Sequence, residues 1–165
     1  MTRIAWLSFA FCSLASAAFI VATAAGMPPN VASHFGPGNA ANGWMPRGGY
    51  VVFMLAFALG LPALIAGMIA WLPLARPAAI NLPHREYWLA NERRQQTIAT
   101  LSASGAWFGC LLTLFIAATH YVVLEANRVT PPVLPAGLFF TLMSIFVAVL
   151  ALWIVLLYLR FRTPR

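Results

Sequence analysis

The chain has 165 residues, of which 62% are hydrophobic and only 8% are charged, and its mean hydropathy is +0.83. Because about a quarter of the residues in soluble domains are charged, this composition excludes a water-exposed globular protein and indicates a membrane protein. The net charge is +7, and all ten basic residues are arginines. No nucleic-acid-binding motif accompanies the arginines, which flank apolar segments. We therefore expect them to face anionic lipid headgroups rather than nucleic acid.

Two long apolar segments lie in the first half of the chain. Residues 4–25 are uncharged and, at about 1.5 Å per residue, long enough to cross the hydrocarbon core of a bilayer. A cleaved signal peptide is the alternative, because Arg3 precedes this segment and small residues end it, although signal h-regions are shorter. Residues 50–72 form the second predicted span, and Pro62 is expected to bend it.

Two further spans are predicted in the second half of the chain, at residues 102–124 and 138–159. Before them, residues 74–101 are the most charged segment, and we expect a short amphipathic helix that lies at the surface, with its aromatic residues at headgroup depth, and runs into the next span. Asn81 is the predicted N-cap of that helix. The predicted fold is an all-α bundle of four transmembrane helices, which forms a single membrane domain over residues 1–165.

The arginine distribution predicts the orientation of the chain in the membrane. With the N-terminus inside, two arginines lie in outer loops, Arg47 and Arg128, and eight lie at inner ends: Arg3, Arg76, Arg85, Arg93, Arg94, Arg160, Arg162 and Arg165. Arginines in short loops favour the cytoplasmic side. Both termini and residues 74–101 are therefore predicted to be cytoplasmic, and the loop at residues 26–49 extracytoplasmic.

Small residues recur near helical spacing on three of the predicted spans, where they would allow close approach of helix backbones. They are Ala56, Gly60, Ala63 and Gly67 on the second span, Gly105, Gly109, Thr113 and Ala117 on the third, and Thr141, Ser144, Ala148 and Ala151 on the fourth. The sequence leaves open whether Cys12 and Cys110 pair, since pairing requires the first and third spans to touch at that depth.

Three side chains on the predicted outer side are of types that bind metal ions, namely His34, His120 and Glu125. His120 and Glu125 are five residues apart and share a helix face poorly, so we assign no metal and no cofactor. His34 is instead interpreted as a loop histidine and His120 as an interfacial histidine at a helix end. Ser33 adjoins His34 without a nearby acid, and no nucleophile or acid–base constellation appears, so we predict no enzymatic activity.

The loop after the first span carries a patterned run of residues. Val31-Ala32-Ser33-His34-Phe35-Gly36 is followed by Asn42-Gly43-Trp44 and Arg47. Together with Met27-Pro28 and Pro62, this pattern resembles a small bacterial membrane domain of unknown function. That domain also forms the N-terminal part of the SdpI-like (sporulation-delaying-protein immunity) proteins. Here Ala32 replaces a usual proline and Arg47 a usual lysine.

The resemblance covers roughly residues 5–100. It implies a multi-span protein of the bacterial inner membrane and, for some relatives, resistance to a secreted toxin and signalling of its presence. The leading hypothesis is a non-enzymatic inner-membrane protein of an immunity or sensor type, whose outer loop recognises a membrane-protein partner or a peptide ligand. The alternatives are a small transporter or channel, with Pro62 marking a bent helix beside a polar path, and an accessory subunit of a larger membrane complex.

Two groups of candidate site residues follow from this hypothesis. The predicted ligand- or partner-binding residues of the outer loop are His34, Phe35, Asn42, Gly43, Trp44 and Arg47. The predicted cytoplasmic docking residues are Arg85, Glu86, Tyr87, Trp88, Arg93 and Arg94. Glu86 and Glu92 are interpreted as charge-balancing partners of the neighbouring arginines.

Overall fold

A computed structural model describes residues 2–162 and is mostly helical. Helix α1 is followed by two strands with a single 3₁₀ turn between them. A long second helix comes next, interrupted by a π-helical turn, and then a short irregular stretch and two more long helices. The elements are α1 (Thr2–Ala24), β1 (Asn30–Phe35), β2 (Ala41–Pro46), α2 (Arg47–Leu55), the π turn (Ala56–Gly60), α3 (Leu61–Ala75), α4 (Arg85–Trp88), α5 (Asn91–Ala126) and α6 (Ala136–Phe161).

Four helices of the described chain are long and apolar enough to cross a membrane, which confirms this part of the prediction. They are Thr2–Ala24, Arg47–Ala75, Asn91–Ala126 and Ala136–Phe161. Each contains nearly all of one predicted span. The third begins well before residue 102, so the second half of the predicted amphipathic segment is the start of α5, and this segment runs into the span as expected.

The hairpin of β1 and β2 departs from the all-α prediction. Its register is interrupted by irregularities on either side of His34, which break the alternation by which a strand is recognised in sequence. The turn uses Gly38 and Asn39 at positive φ, +75° and +64°. Glycine and asparagine tolerate this left-handed conformation, so residues that indicated an irregular loop form a hairpin turn instead.

Contacts along α5 give the direction of its neighbours. The first helix runs parallel to it, since the Thr2 hydroxyl bonds the Ala99 carbonyl and Thr23 bonds His120. The helix Arg47–Ala75 runs antiparallel, with Tyr50 beside His120 and Ile69 beside Gly105. The hairpin therefore lies at one end of the helices, which we call the hairpin end. Seven described arginines lie at the other, the arginine-rich end: Arg3, Arg76, Arg85, Arg93, Arg94, Arg160 and Arg162. Arg165 lies outside the described residues.

Helix α5 is the central element, and its predicted stripe of small residues is a packing face. Gly105, Gly109, Thr113 and Ala117 are all buried. A Cβ atom on Gly105 would lie 3.0 Å from Ile69, and one on Gly109 would lie 2.9 Å from the ring of Phe9. The two glycines thus allow close approach of two different helices, as small residues do at membrane helix interfaces.

The predicted stripe on the second span is wrong, because Ala56, Gly60 and Ala63 are exposed. The buried face instead carries residues of mixed size that are also four apart: Tyr50, Met54, Ala58, Pro62 and Ala66. Residue size alone did not identify the face, because alanine and glycine are frequent on both sides of this helix. The bulky Tyr50 fits this face because it has a polar partner there.

The predicted stripe on the fourth span is also wrong, since Thr141, Ser144, Ala148 and Ala151 are all exposed. Helix α6 packs on α5 through aromatic rings. Phe115 stacks on Phe146 with centroids 4.1 Å apart, and Phe108 lies 5.2 Å from Trp153. The two pairs lie seven residues apart along each of the two antiparallel helices. Contacts between aromatic rings therefore replace close backbone packing at this interface.

The π-helical turn lies directly before Pro62, where a bend was predicted. In an α-helix the Ala58 carbonyl would accept a hydrogen bond from the backbone N–H of residue 62, which proline lacks. The hydroxyl of Thr113, from α5, donates to the Ala58 carbonyl at 3.3 Å, and both residues are fully buried. A neighbouring helix thus supplies the donor that proline removes, as is common in membrane helices.

Candidate functional site

Four residues of the outer-loop pattern form the tip of the hairpin. His34 lies opposite Gly43, where a Cβ atom would be 2.9 Å from the His34 Cβ. The Nδ1 atom of His34 bonds Oδ1 of Asn42 at 2.5 Å. Gly36 lies beside the Asn42 carboxamide, with no room for a Cβ atom. The spacing of this pattern is therefore explained by the packing of one histidine and one asparagine against two glycines.

Arg47 fastens the base of the hairpin to the end of α1. Its Nη1 atom donates to the Ala25 carbonyl at 3.0 Å and to the Met27 carbonyl at 2.9 Å. Carbonyl groups at the C-terminal end of a helix lack intrahelical partners and carry partial negative charge, so a guanidinium stabilises them. Arg47 is thus engaged within the protein, whereas it was predicted as a residue that contacts a ligand.

Asn127 holds β1 from the end of α5. Its Oδ1 accepts from the Ala32 backbone N–H at 2.9 Å, and its Nδ2 donates to the Ala32 carbonyl at 2.9 Å. The carboxamide thereby pairs with β1 as a neighbouring strand would. Sequence reasoning missed this residue, which lies 95 positions from its partner. A carboxamide at the end of an apolar span was its only signal.

The loop between α5 and α6 closes the turn of the hairpin through residues 132–134. The Ala41 N–H donates to the Pro132 carbonyl at 3.3 Å, and the Leu134 N–H donates to the Asn39 carbonyl at 2.9 Å. An isolated two-stranded hairpin is only marginally stable in water. Contacts with residues 132–134, with the end of α5 and with the end of α1 therefore hold this hairpin in one place.

Trp44 projects from the remaining edge of the hairpin. Its side chain is 56% exposed, whereas Phe35 is half-buried. Trp44 lies directly opposite Ala32, whose N–H and carbonyl point away from β2 toward Asn127. Ala32 and Trp44 are therefore a pair that exchanges no backbone hydrogen bonds, and in such a pair the N–H and C=O groups of both residues point away from the partner strand. The N–H and C=O groups of Trp44 thus face the open edge of β2. The next residue of β2 whose backbone faces this edge is Pro46, which has no backbone N–H and so leaves no donor unpaired there.

A buried polar chain lies beneath the hairpin and joins three helices. Nδ1 of His120 lies 2.8 Å from the Tyr50 hydroxyl, and Nε2 lies 2.8 Å from Thr23 Oγ1. Thr23 donates its proton to the Phe19 carbonyl at 2.6 Å. Because that carbonyl can only accept, Nε2–H of His120 donates to Thr23, and Nδ1 accepts from Tyr50. We call Tyr50, His120 and Thr23 the buried chain.

The three residues weighed as a metal site have separate partners. His34 bonds Asn42, and Glu125 forms an ion pair with Arg128 at 2.7 Å. His120 is wholly buried, so its interpretation as an interfacial histidine is wrong. Within residues 2–162, no three His, Cys, Asp or Glu side chains lie close enough together to hold a metal ion.

A cavity of about 180 Å³ opens at the hairpin end between α1 and α5. Thr23, Asn127 and Arg128 are among its lining residues. Thr23 is a member of the buried chain, and Asn127 holds β1. One residue of the buried chain and one of the residues that hold the hairpin therefore line the same cavity.

Three of the six predicted docking residues at the arginine-rich end contact one another, namely Tyr87, Trp88 and Arg93. The Arg93 guanidinium lies 3.8 Å from the centroid of the Tyr87 ring, and its Nε donates to the Tyr87 carbonyl at 3.0 Å. Trp88 donates from Nε1 to the Phe161 carbonyl at 2.9 Å, and its ring packs edge-to-face on Phe161. These contacts fold α4 against the ends of α5 and α6.

The other predicted docking residues are more loosely placed. Arg85 donates to the Ala78 carbonyl at 2.6 Å, while Glu86 and Arg94 are exposed. The short helix starts at Arg85 after His84, so Asn81 is not its N-cap. The one ion pair in the described part of the chain joins Arg128 and Glu125, so Glu86 and Glu92 make no direct ion pair there, and their interpretation as charge-balancing partners of the neighbouring arginines stays a prediction.

The two cysteines meet where α1 packs on α5. Cys110 is a member of the small buried cluster around Phe9 and Ala106, and Cys12 packs against that cluster. Both are free thiols in this structure. The contact that the sequence left open is therefore made without a disulfide.

Comparisons with known proteins return no match to this chain, whether with protein-family models, with curated proteins or with solved structures.

Proposed function

We propose that this chain is a non-enzymatic protein of the bacterial inner membrane that recognises an extended peptide segment outside the cytoplasm. Its four long helices would form a transmembrane bundle with both termini in the cytoplasm. The support for this orientation is the charge at the two ends of the helices, since seven described arginines lie at one end, and only Arg47 and Arg128 lie at the other.

The asymmetry of the hairpin edges is the observation that carries this proposal. The edge of β1 is closed at Ala32 by Asn127, whereas the backbone groups of Trp44 face an open edge beside an exposed indole. An extended peptide can add to such an edge as a further strand, with hydrogen bonds to the backbone and an apolar contact to the aromatic ring. The anchored hairpin is preorganised, which reduces the entropy cost of binding.

The contacts below the hairpin support a sensor or immunity role. Arg47 connects the hairpin to the end of α1, and Asn127 connects it to the end of α5. The buried chain then links α1, α2 and α5 within one network. A peptide that shifts the hairpin would therefore move the ends of α1 and α5 through these hydrogen bonds.

A peptide selection tests the proposed recognition. A random peptide library displayed on phage would be panned against the purified full chain in nanodiscs. Selected peptides should bind the wild type, lose binding to Trp44→Ala, and keep binding to Val129→Ala, because Val129 is similarly exposed (50%) in the loop between α5 and α6. Bound peptide should also slow hydrogen exchange of the Trp44 backbone amide.

Two outcomes would contradict the proposal. Peptides that bind Trp44→Ala as well as the wild type would show that the open edge is not the site. A library that yields no binder above empty nanodiscs would show that the hairpin does not recognise extended peptides.

A small transporter or channel is the second candidate, and the π-helical turn at Ala56–Gly60 favours it. Such turns are frequent at functional sites, and this one lies at mid-helix beside the buried Thr113. Liposomes that contain the purified chain should then pass a small ion or solute faster than empty liposomes. Flux equal to that of empty liposomes across a panel of ions and amino acids would exclude this role.

A further inference from the structure

A second candidate site lies at the arginine-rich end, in a groove along α5 that is bordered by α6 and, at its larger cavity, also by Thr2 of α1. Two adjoining cavities of about 530 Å³ and about 230 Å³ share four lining residues, Thr100, Ser104, Trp107 and Arg160. We call this the α5–α6 groove. Its larger cavity has the volume of a small-molecule site.

The lining of the groove changes from polar to apolar along the helices. Near the helix ends it carries Arg160, Gln96 and Thr100, and deeper it carries Trp107 and Leu157. A cationic and hydrogen-bonding mouth above an apolar floor matches a molecule with a charged head and a hydrocarbon tail. In a bilayer, this molecule is a phospholipid whose headgroup lies at the level of Arg160.

The charge at the mouth of the groove selects an anionic headgroup. Arg160 and Arg93 line the same small cavity next to the groove, so two cationic side chains border one space. Among residues 2–162, no carboxylate lies within ion-pair distance of either arginine. A guanidinium offers planar paired donors that fit phosphate oxygens, and Arg160 lines both cavities of the groove.

We propose that the α5–α6 groove binds one anionic glycerophospholipid, with its phosphate on Arg160 and an acyl chain along Trp107. This inference rests on the proposed insertion of the four helices into a membrane. It does not depend on peptide recognition by the hairpin, which lies at the opposite end of the helices. The bound lipid fills the space that the aromatic contacts of α6 leave open on this side of α5.

Native mass spectrometry tests the site directly. The full chain would be reconstituted in nanodiscs of equal parts phosphatidylcholine and phosphatidylglycerol, then released in mild detergent. One phosphatidylglycerol per chain should be retained in preference to phosphatidylcholine. Arg160→Gln should reduce this preference by about tenfold, as expected for the loss of one charge-assisted contact. Arg162→Gln is the matched control, since Arg162 is an exposed arginine two residues away that does not line the groove.

A second variant tests the apolar part of the groove without changing charge. Ser104→Phe places a ring where the acyl chain is proposed to lie, and it should lower retention of phosphatidylglycerol while the melting temperature stays near that of the wild type. Equal loss of lipid in Arg160→Gln and Arg162→Gln would show general surface attraction and overturn the site. Retention of both lipids in equal amounts by the wild type would also overturn it. A chain that binds selected peptides through Trp44 but shows no lipid preference overturns this inference alone.

Discussion

Thr113 donates its hydroxyl proton to the carbonyl of Ala58, the carbonyl that Pro62 leaves without its regular helix donor. The two residues lie 55 positions apart on different helices, and both are fully buried. An unpaired carbonyl is costly in apolar surroundings, so this bond makes the proline tolerable in the middle of a long helix. It also ties the π-helical turn to the central helix.

A double-mutant cycle tests this compensation. Thr113→Val keeps the size of the side chain but removes the donor, and it should lower the free energy of unfolding by about 1 kcal/mol. In a Pro62→Ala background the residue at position 62 has its own N–H, so the same substitution should cost much less. Thermal unfolding in detergent measures both differences, and Thr113→Ser is the control that keeps the hydroxyl. Equal cost in the two backgrounds would contradict the assignment.

The buried chain predicts that Tyr50 stabilises the protein through its hydroxyl. Tyr50→Phe leaves Nδ1 of the buried His120 without a donor and should cost about 1–3 kcal/mol of unfolding free energy. Tyr121→Phe is the matched control, because Tyr121 adjoins His120 in sequence and is 40% exposed. Nitrogen NMR on labelled histidine should show the proton of His120 on Nε2. A proton on Nδ1 would reverse the direction of the chain and contradict the argument.

Close packing at Gly109 predicts a penalty for a single methyl group. Gly109→Ala places a Cβ atom 2.9 Å from the Phe9 ring and should destabilise the protein by about 1–3 kcal/mol. Gly67→Ala has open space around its Cβ position and should be neutral or slightly stabilising, since alanine favours helix. Phe9→Leu should relieve part of the Gly109→Ala penalty. Similar melting temperatures for the two alanine variants would show that α1 and α5 are not in this contact.

The two hydrogen bonds between the Asn127 side chain and the Ala32 backbone predict that the hairpin depends on α5 for its stability. Asn127→Ala removes both hydrogen bonds, at roughly 1 kcal/mol each, and should speed hydrogen exchange at the Ala32 amide and proteolysis within residues 30–46. Asn91→Ala is the control, because Asn91 is an exposed asparagine at the other end of the same helix. Unchanged exchange at Ala32 in the Asn127 variant would mean that the hairpin is held by its other contacts alone.

The proposed orientation predicts which side chains a membrane-impermeant thiol reagent reaches. In a chain with Cys12 and Cys110 replaced by alanine, Pro37→Cys at the hairpin turn should be labelled in intact cells. Glu86→Cys, which is exposed on α4, should be labelled only after the cells are permeabilised. The opposite pattern would place the hairpin in the cytoplasm and remove the basis for recognition of an external peptide.

The four long helices could be predicted from sequence because length and hydropathy are local properties, and each span can be read without knowledge of its neighbours. The packing face of α5 was also predictable, since Gly105 and Gly109 mark positions where only a hydrogen atom fits. The packing faces of the helix Arg47–Ala75 and of α6 were not predictable. Their contacts use proline, tyrosine and aromatic rings, whose fit depends on the partner surface rather than on residue size.

The hairpin and its anchors lay beyond sequence reasoning for a different reason. The irregular register around His34 breaks the alternation that reveals a strand, and the partner of Ala32 comes from a helix end 95 residues away. The same holds for the buried chain, because His120 is distinguished from an interfacial histidine only by its contacts with Tyr50 and Thr23. Pairings between distant segments are set by tertiary structure and leave little trace in a single sequence.

The attachment of α6 by aromatic rings has a consequence for what the last helix can influence. The buried chain, the bond between Thr113 and Ala58, and the contact of Gly109 with Phe9 all involve residues that precede position 121. None of these interactions uses a side chain of α6. A chain truncated before residue 136 would therefore keep every hydrogen-bonding partner of the buried chain.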